Sequence, residues 1–66
     1  MKRKHLRKVK ILMMIRGIKM VDLAVEIGVS VSTMNAYLNG YRQVPEKIRE
    51  KIAEELKGDK KHLFSE

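Results

Sequence analysis

The sequence predicts an all-α domain, a compact bundle of about five short helices, on three observations. Apolar residues recur at intervals of three and four along most of the chain, which is the spacing of one helix face. Glycines follow these stretches at positions 17, 28, 40 and 58, where helices commonly end. A chain of 66 residues without cysteine can build one small core but not two, so we expect one domain over residues 1–66.

The first predicted helix covers residues 5–16, carries lysines on its outer side and is ended by Gly17. Its apolar face is formed by residues at helical spacing: Leu6, Val9, Leu12, Met13, and Ile15 or the aliphatic stem of Arg16. With two tyrosines, one phenylalanine and no tryptophan, the core needs these side chains. That need disfavours the alternative of a basic amphipathic helix lying on an anionic membrane or in a partner's groove.

Residues 20–40 are predicted to form two short helices, 20–27 and 31–39, joined by a three-residue turn. Apolar residues repeat at helical spacing on both helices: Leu23, Ala24 and Ile27, then Met34, Tyr37 and Leu38. Gly28 can adopt the positive φ that reverses the chain, and Gly40 ends the second helix. Such a pair is how a small protein presents one helix to the DNA major groove.

Local chemistry supports this turn. Ala24 is small where the two helices would cross, and Val29 fills the corner. Ser30 is a good N-cap for the second helix, because its hydroxyl can accept a hydrogen bond from an N–H of the first turn. We expect the hydroxyls of Ser32 and Thr33 to remain free.

Two further helices are predicted after a loop at residues 41–44. Pro45 suits the first turn of the fourth helix, and Gly58 is expected to end it. Asp59 can cap a short last helix at residues 60–64. Core positions in these segments are Ile48, Ile52, Ala53, Leu56 and either Leu63 or Phe64, the other of which is expected to face a partner.

The formal net charge of +7 is unevenly distributed. Residues 20–41 hold no lysine or arginine and two acids, Asp22 and Glu26. Residues 1–19 hold no acid, and their basic residues are Lys2, Arg3, Lys4, Arg7, Lys8, Lys10, Arg16 and Lys19. A basic surface often serves solubility alone, but beside two such helices it predicts nucleic-acid binding, with phosphate attraction supplied by the flanks.

Other functional classes lack their residue patterns. The chain has no paired catalytic carboxylates, no nucleophile beside a base and no glycine-rich phosphate loop, so we expect no enzyme activity and no cofactor. His5 and His62 have no metal-ligand spacing. The longest apolar run, residues 11–15, is too short to span a bilayer, and the basic start lacks a cleavage site. We expect a mature cytoplasmic protein with no membrane partner.

The segment LAVEIGVSVSTM, residues 23–34, together with the ending LNG, residues 38–40, and Pro45, resembles the Cro/C1-type helix-turn-helix family of lambda-repressor-like proteins. The likeness extends over residues 6–64. It implies a compact bundle of about five helices that binds double-stranded DNA and regulates transcription, as a repressor of phage or bacterial origin. No effector domain is apparent, so regulation is expected through occupation of an operator.

Two departures from the family pattern bear on mechanism. Met20 stands where the family often has a glutamine that binds phosphate. Met13 and Leu38 stand where the family frequently pairs an arginine with a glutamate. Exchanging both members of a buried ion pair for apolar residues is often neutral or stabilising by about 1–4 kcal/mol. Apolar residues at both positions are therefore compatible with a stable core.

The resemblance implies that the helix at residues 31–39 enters the major groove with its N-terminal residues at the base edges. The base contacts are expected from Val31, Ser32, Asn35 and Ala36. The Asn35 amide suits a bidentate pair with N6 and N7 of adenine. Ser32 offers a hydroxyl, while Val31 and Ala36 fit against thymine methyl groups.

Phosphate contacts are expected from the flanks of the two helices and from backbone N–H groups at helix N-termini. The side chains concerned are Lys19, Asn39, Tyr41 and Arg42. Residues 1–4 are expected to form a flexible basic arm that either follows the DNA, in a minor groove or along the backbone, or is merely solvated.

A single unit reads too few base pairs to select a site in a genome. We therefore expect a homodimer on a palindromic operator with half-sites about 34 Å apart. Candidates for the dimer face are Leu63, Phe64 and the exposed side of the fourth helix. The alternative function is a protein-interaction module, such as an antitoxin or anti-regulator, which an exposed apolar patch of Met14, Met20, Leu63 or Phe64 would favour.

Overall fold

The computed structural model describes residues 5–64, and within that range the chain is all helix and connecting loop. The predicted basic arm, residues 1–4, lies outside the described residues. The helices are α1 (Arg7–Arg16), α2 (Met20–Ile27), α3 (Val31–Leu38), α4 (Glu46–Leu56) and α5 (Lys60–Leu63). The prediction of an all-α bundle of about five short helices is confirmed.

The core is formed by apolar side chains from every helix. Helix α2 packs against α3 and α4, while α1 contacts α3, α4 and α5. The buried residues are Val9, Met13, Leu23, Ala24, Ile27, Met34, Tyr37, Leu38, Val44, Ile52, Ala53, Leu56 and Leu63. Burial of a leucine or isoleucine of this kind contributes about 1.5–3 kcal/mol, and no polar side chain within residues 5–64 is buried among them.

Helix α1 begins two residues later than predicted. The backbone N–H of Leu6 donates to the carbonyl oxygen of Leu38 at 3.0 Å, so this residue joins α1 to the end of α3 rather than opening the helix. Of the two alternatives predicted to complete the core face, Ile15 is wrong, because its side chain is 73% exposed. It lies two residues from buried Met13, which places it on the far side of a helix with 3.6 residues per turn. Arg16 instead donates from Nε to the carbonyl oxygen of Leu56 at 2.9 Å.

The role predicted for Gly58 is also wrong. Helix α4 ends at Leu56, and its C-cap, Lys57, adopts a left-handed φ of 54°, whereas Gly58 has no positive φ. A Cβ atom at Gly58 would lie 2.8 Å from side-chain carbons of both Leu12 and Leu63. A side chain at position 58 would therefore require both leucine side chains to move, so the glycine here is explained by the close approach of side chains from α1 and α5 and not by the φ that ends α4.

The remaining helix ends match the sequence within one residue. Asn39 is the C-cap of α3, and Pro45 is the N-cap of α4 rather than its first residue. The Asp59 carboxylate accepts from the backbone N–H of Lys61 at 3.1 Å, as expected of a cap. Leu63 folds back into the core, while Phe64 is half-buried beneath the Arg49 guanidinium at 5.6 Å.

Candidate nucleic-acid interface

The turn between α2 and α3 is defined by backbone hydrogen bonds at Gly28. Its φ is 87°, and the N–H groups of Gly28 and Val29 both donate to the carbonyl oxygen of Ala24, at 2.9 and 3.0 Å. This left-handed ending stops α2 and redirects the chain within three residues. A side chain at position 28 would be strained by that φ, which explains the glycine.

Ser30 begins α3 as predicted. Its hydroxyl oxygen accepts from the backbone N–H of Thr33 at 3.1 Å. The same hydroxyl donates to Oγ1 of Thr33 at 2.8 Å, so the prediction that the Thr33 hydroxyl stays free is wrong. Ser32 is exposed and makes no side-chain hydrogen bond within residues 5–64. The cap therefore fixes the first turn of α3 and leaves one hydroxyl for a ligand.

The residues predicted to contact bases lie on the outer face of α3. Val31, Ser32 and Asn35 are exposed, and their spacing places them on one side of the helix. Ala36 is half-buried at the edge of that face. The opposite face is fixed in the core by Met34, Tyr37 and Leu38. The structure thus brings the four predicted residues to one surface that carries no formal charge.

The predicted phosphate-contacting side chains lie at both ends of the helix pair. Exposed Lys19 is the N-cap of α2. Tyr41 and Arg42 follow α3 and are held against its end, since their backbone N–H groups donate to the carbonyl oxygen of Ala36 at 2.8 and 3.3 Å. The Arg42 guanidinium lies 5.8 Å from the centre of the Tyr37 ring, within the range of a cation–π contact.

Asn39, the fourth of these residues, has side-chain partners within the protein. Its Nδ2 donates to Oδ1 of Asn35 at 2.8 Å and to the Asn35 carbonyl oxygen at 3.0 Å. Its Oδ1 accepts from Nζ of Lys10 at 2.9 Å. Lys10 Nζ also lies 3.2 Å from Nδ1 of His5.

Lys10 is the residue that sequence reasoning missed at this surface. The asparagines at positions 35 and 39 stand four apart on one helix, a spacing at which amide side chains interact. Lys10 is 29 positions from Asn39 in the chain, and only the packing of α1 against α3 places it there. It brings a positive charge to the edge of a helix that has none.

Helices α4 and α5 are joined by an ion pair. Lys60 pairs with Glu46 and lies 3.9 Å from Glu50. The hydrogen bond from Lys60 lowers the pKa of the Glu46 carboxyl below its usual value, and the same bond raises the pKa of Lys60. The pair thus connects α5 to the first turn of α4.

Two other kinds of site are not formed by the described part of the chain. Residues 5–64 contain no helix long and apolar enough to cross a bilayer. Over the same range, no group of three or more histidine or acidic side chains is arranged to hold a metal ion.

Comparison with known proteins gives one match. A family profile described as helix-turn-helix matches residues 9–61, which is more than half of the chain and includes α2, the turn and α3. No curated protein and no solved structure matches.

Proposed function

The chain belongs to the Cro/C1-type helix-turn-helix family of DNA-binding proteins, and from that premise we propose that it is a sequence-specific transcriptional regulator that reads the major groove with α3. The observation that carries the proposal is the outer face of α3. It is exposed, uncharged and rigidly capped, while its inner face is held in the core. A major groove about 12 Å wide admits one helix presented in this way.

Base contacts are assigned to four residues of that face. Asn35 offers both a donor and an acceptor to a base edge, which suits adenine. Ser32 offers its hydroxyl. Val31, 41% exposed, and the half-buried Ala36 provide apolar contact to thymine methyl groups.

Affinity is assigned to the flanks. Lys19 lies at the start of α2, and Tyr41 and Arg42 lie just beyond α3, so these side chains are assigned the phosphate contacts at the two ends of the helix pair. Asn39, which was predicted to bind phosphate, instead has its side chain bonded to Lys10 and Asn35. Affinity should fall with about one power of the salt concentration for each phosphate neutralised.

The regulator acts as a homodimer that represses by occupying a palindromic operator, and it works in the cytoplasm where that DNA lies. A single α3 reads too few base pairs for selection in a genome, whereas two copies on half-sites about 34 Å apart suffice. Leu63 is buried and so is not a candidate for the dimer face. Half-buried Phe64 and the outer side of α4 remain candidates.

Selection of bound duplexes from a random DNA pool at near-physiological salt tests the proposal. The expected result is enrichment of a palindromic motif, with Asn35→Ala losing preference at one position in each half-site. Light scattering on the enriched duplex should give two chains per site. Salt-sensitive binding without enrichment would contradict base readout, and one chain per site would contradict the dimer.

A second candidate function, binding to another protein, is favoured by the outer side of α1. Met14 is 79% exposed and Ile15 is 73% exposed. Beside them a groove of about 240 Å³ lies between α1 and α5, lined by Lys8, Ile11, Leu12, Ile15, His62 and Leu63. Failure to enrich any DNA, with saturable binding of a cellular protein that Ile15→Lys abolishes, would favour this function.

A further inference from the structure

Three polar side chains from α1 and the α3 region form a connected chain of hydrogen bonds. Lys10 Nζ donates to Asn39 Oδ1 at 2.9 Å, and Asn39 Nδ2 donates to Asn35 Oδ1 at 2.8 Å. We propose that Lys10 and Asn39 are positioning residues that fix the orientation of the Asn35 amide, and hence which base α3 selects. This inference rests on the proposed function and deepens it.

The direction of the chain follows from the chemistry of lysine. An ammonium group donates hydrogen bonds and cannot accept them. Asn39 must therefore turn its oxygen toward Lys10, which leaves its NH₂ group toward Asn35. Asn35 in turn must present its oxygen to Asn39. The Lys10 ammonium and the Asn35 carbonyl oxygen thus both fix the orientation of the Asn39 amide, and that amide fixes the orientation of the Asn35 side chain. A lone exposed asparagine could adopt either orientation.

The position of Asn39 strengthens this assignment. It is half-buried, and its Nδ2 donates to the Asn35 carbonyl oxygen at 3.0 Å as well as to Asn35 Oδ1. Both contacts direct the Asn39 donors toward α3. A phosphate would have to displace them, so the geometry favours positioning over the phosphate contact predicted for Asn39. Hydrogen bonds from a charged group are roughly twice as strong as neutral ones, so the bond from Lys10 to Asn39 is expected to be the strongest of this series.

The orientation of the Asn35 amide determines which of its hydrogen-bonding groups can face a base edge. The NH₂ group of Asn35 remains as a donor on the exposed face, and its oxygen keeps one lone pair, because an amide oxygen accepts two hydrogen bonds. A donor beside one acceptor matches N7 and N6 of adenine in a single sense. Each half-site should therefore hold one position where adenine is preferred by about 5- to 150-fold, the range for a bidentate pair.

Two lysines of α1 provide a matched test. Lys10→Met removes the end of the chain, whereas Lys8→Met removes the same charge from the same helix without touching Asn39. In duplex selection, Lys10→Met should reduce the adenine preference at the Asn35 position to within about threefold and leave the other positions unchanged. Lys8→Met should lower affinity uniformly and keep the motif. Asn39→Asp, which keeps an acceptor for Lys10 but loses the donor to Asn35, should relax the same position.

A measurement without DNA separates this inference from the proposed function. In the free protein, Lys10→Met should shift the side-chain amide NMR signals of both Asn35 and Asn39, and Lys8→Met should shift neither. A wild-type motif that Lys10→Met leaves intact would overturn the inference while the function stands. Absence of any wild-type motif would overturn the function, and unchanged amide signals in Lys10→Met would overturn the hydrogen-bonded chain itself.

Discussion

Helices α2 and α3 differ from α1 in how their side chains are distributed. The pair α2–α3 buries one face, and its outer surface carries two acids and no basic residue. Helix α1 is basic, buries Val9 and Met13, and also exposes apolar side chains at Ile11, Met14 and Ile15. The turn unit, residues 20–38, also exposes apolar side chains, at Val21 and Val25, so the two regions differ in charge rather than in amphipathicity.

This difference shows that the helix-turn-helix shape and the positive charge are provided by separate parts of the molecule. The turn unit is defined by contacts between near neighbours in sequence, such as Ser30 with Thr33. Helix α1 acts through distant contacts, from Leu6 to Leu38, from Lys10 to Asn39 and from Arg16 to Leu56. A small domain can in this way keep the outer face of α3 uncharged and place basic residues of another helix beside it.

The largest effect is expected from a variant that disrupts the packing of α1 against α3. Met13 of α1 and Leu38 of α3 lie in the same core. Leu38→Glu buries an unpaired carboxylate and should lower the free energy of unfolding by about 3–5 kcal/mol. Adding Met13→Arg should recover part of the loss by restoring an opposite charge. Thermal melts of the single and double variants measure the coupling.

Ile15→Arg is the control for the added arginine. Its position is exposed, so the same substitution should change stability little on its own and should not rescue Leu38→Glu. Additive effects of Met13→Arg and Leu38→Glu would contradict the idea that these two positions share one site in the core.

The second prediction concerns the start of α3. Ser30→Ala removes the cap that accepts from Thr33, and should cost about 1 kcal/mol of stability. Ser32→Ala removes a hydroxyl of the same type from an exposed position two residues on and should change stability by less than about 0.5 kcal/mol. Chemical denaturation compares the two variants, and equal losses would contradict the capping role of Ser30.

A third prediction separates charge from shape in DNA binding. Arg42→Ala should weaken binding to all sequences alike and reduce the slope of log affinity against log salt by about 1. Val31→Ala should leave that slope unchanged and alter preference among bases. Titrations at several salt concentrations on specific and random duplexes distinguish the two effects. A slope unchanged in Arg42→Ala would remove this residue from the phosphate contacts.

The smallest expected effect lies away from both regions, at Glu46 and Lys60. The pKa of Glu46 is lowered by the hydrogen bond from Lys60, so its stabilising contribution is present at neutral pH and is lost as the pH falls through that lowered pKa. The pKa of Lys60 is raised, so its part is lost only at alkaline pH. The Tm difference between wild type and Glu46→Gln should be small at pH 7 and should vanish in acid or high salt. A difference that grows in acid would contradict the pairing.

Features that depend on neighbouring residues were predictable from the sequence. The helices of the turn unit, the Ser30 cap, the reversal at Gly28 and the exposed positions of α3 all follow from spacing within a few residues. Such signals are local because helix periodicity, caps and left-handed turns are properties of adjacent backbone units.

Features that depend on distant packing were not predictable. The exposure of Ile15 depends on which side of α1 meets the other helices. The role of Gly58 depends on how closely Leu12 and Leu63 approach it from two directions. Lys10 reaches Asn39 only once α1 is docked on α3. The assignment of bases and phosphates to particular residues remains a prediction, because it depends on a partner as well as on the fold.

The hydrogen bonds of Arg16 bear on the order in which the chain can acquire its structure during synthesis. Its guanidinium donates to the carbonyl oxygens of Leu56 and Lys57, at 2.9 and 3.4 Å, forty or more residues further along. The turn between α2 and α3 closes within the first 33 residues, whereas α1 finds these acceptors only after α4 has been translated. An eight-residue helix is marginal in water without tertiary packing, so we expect α3 to become stable only when α1 and α4 are available to complete the core, as one folding unit.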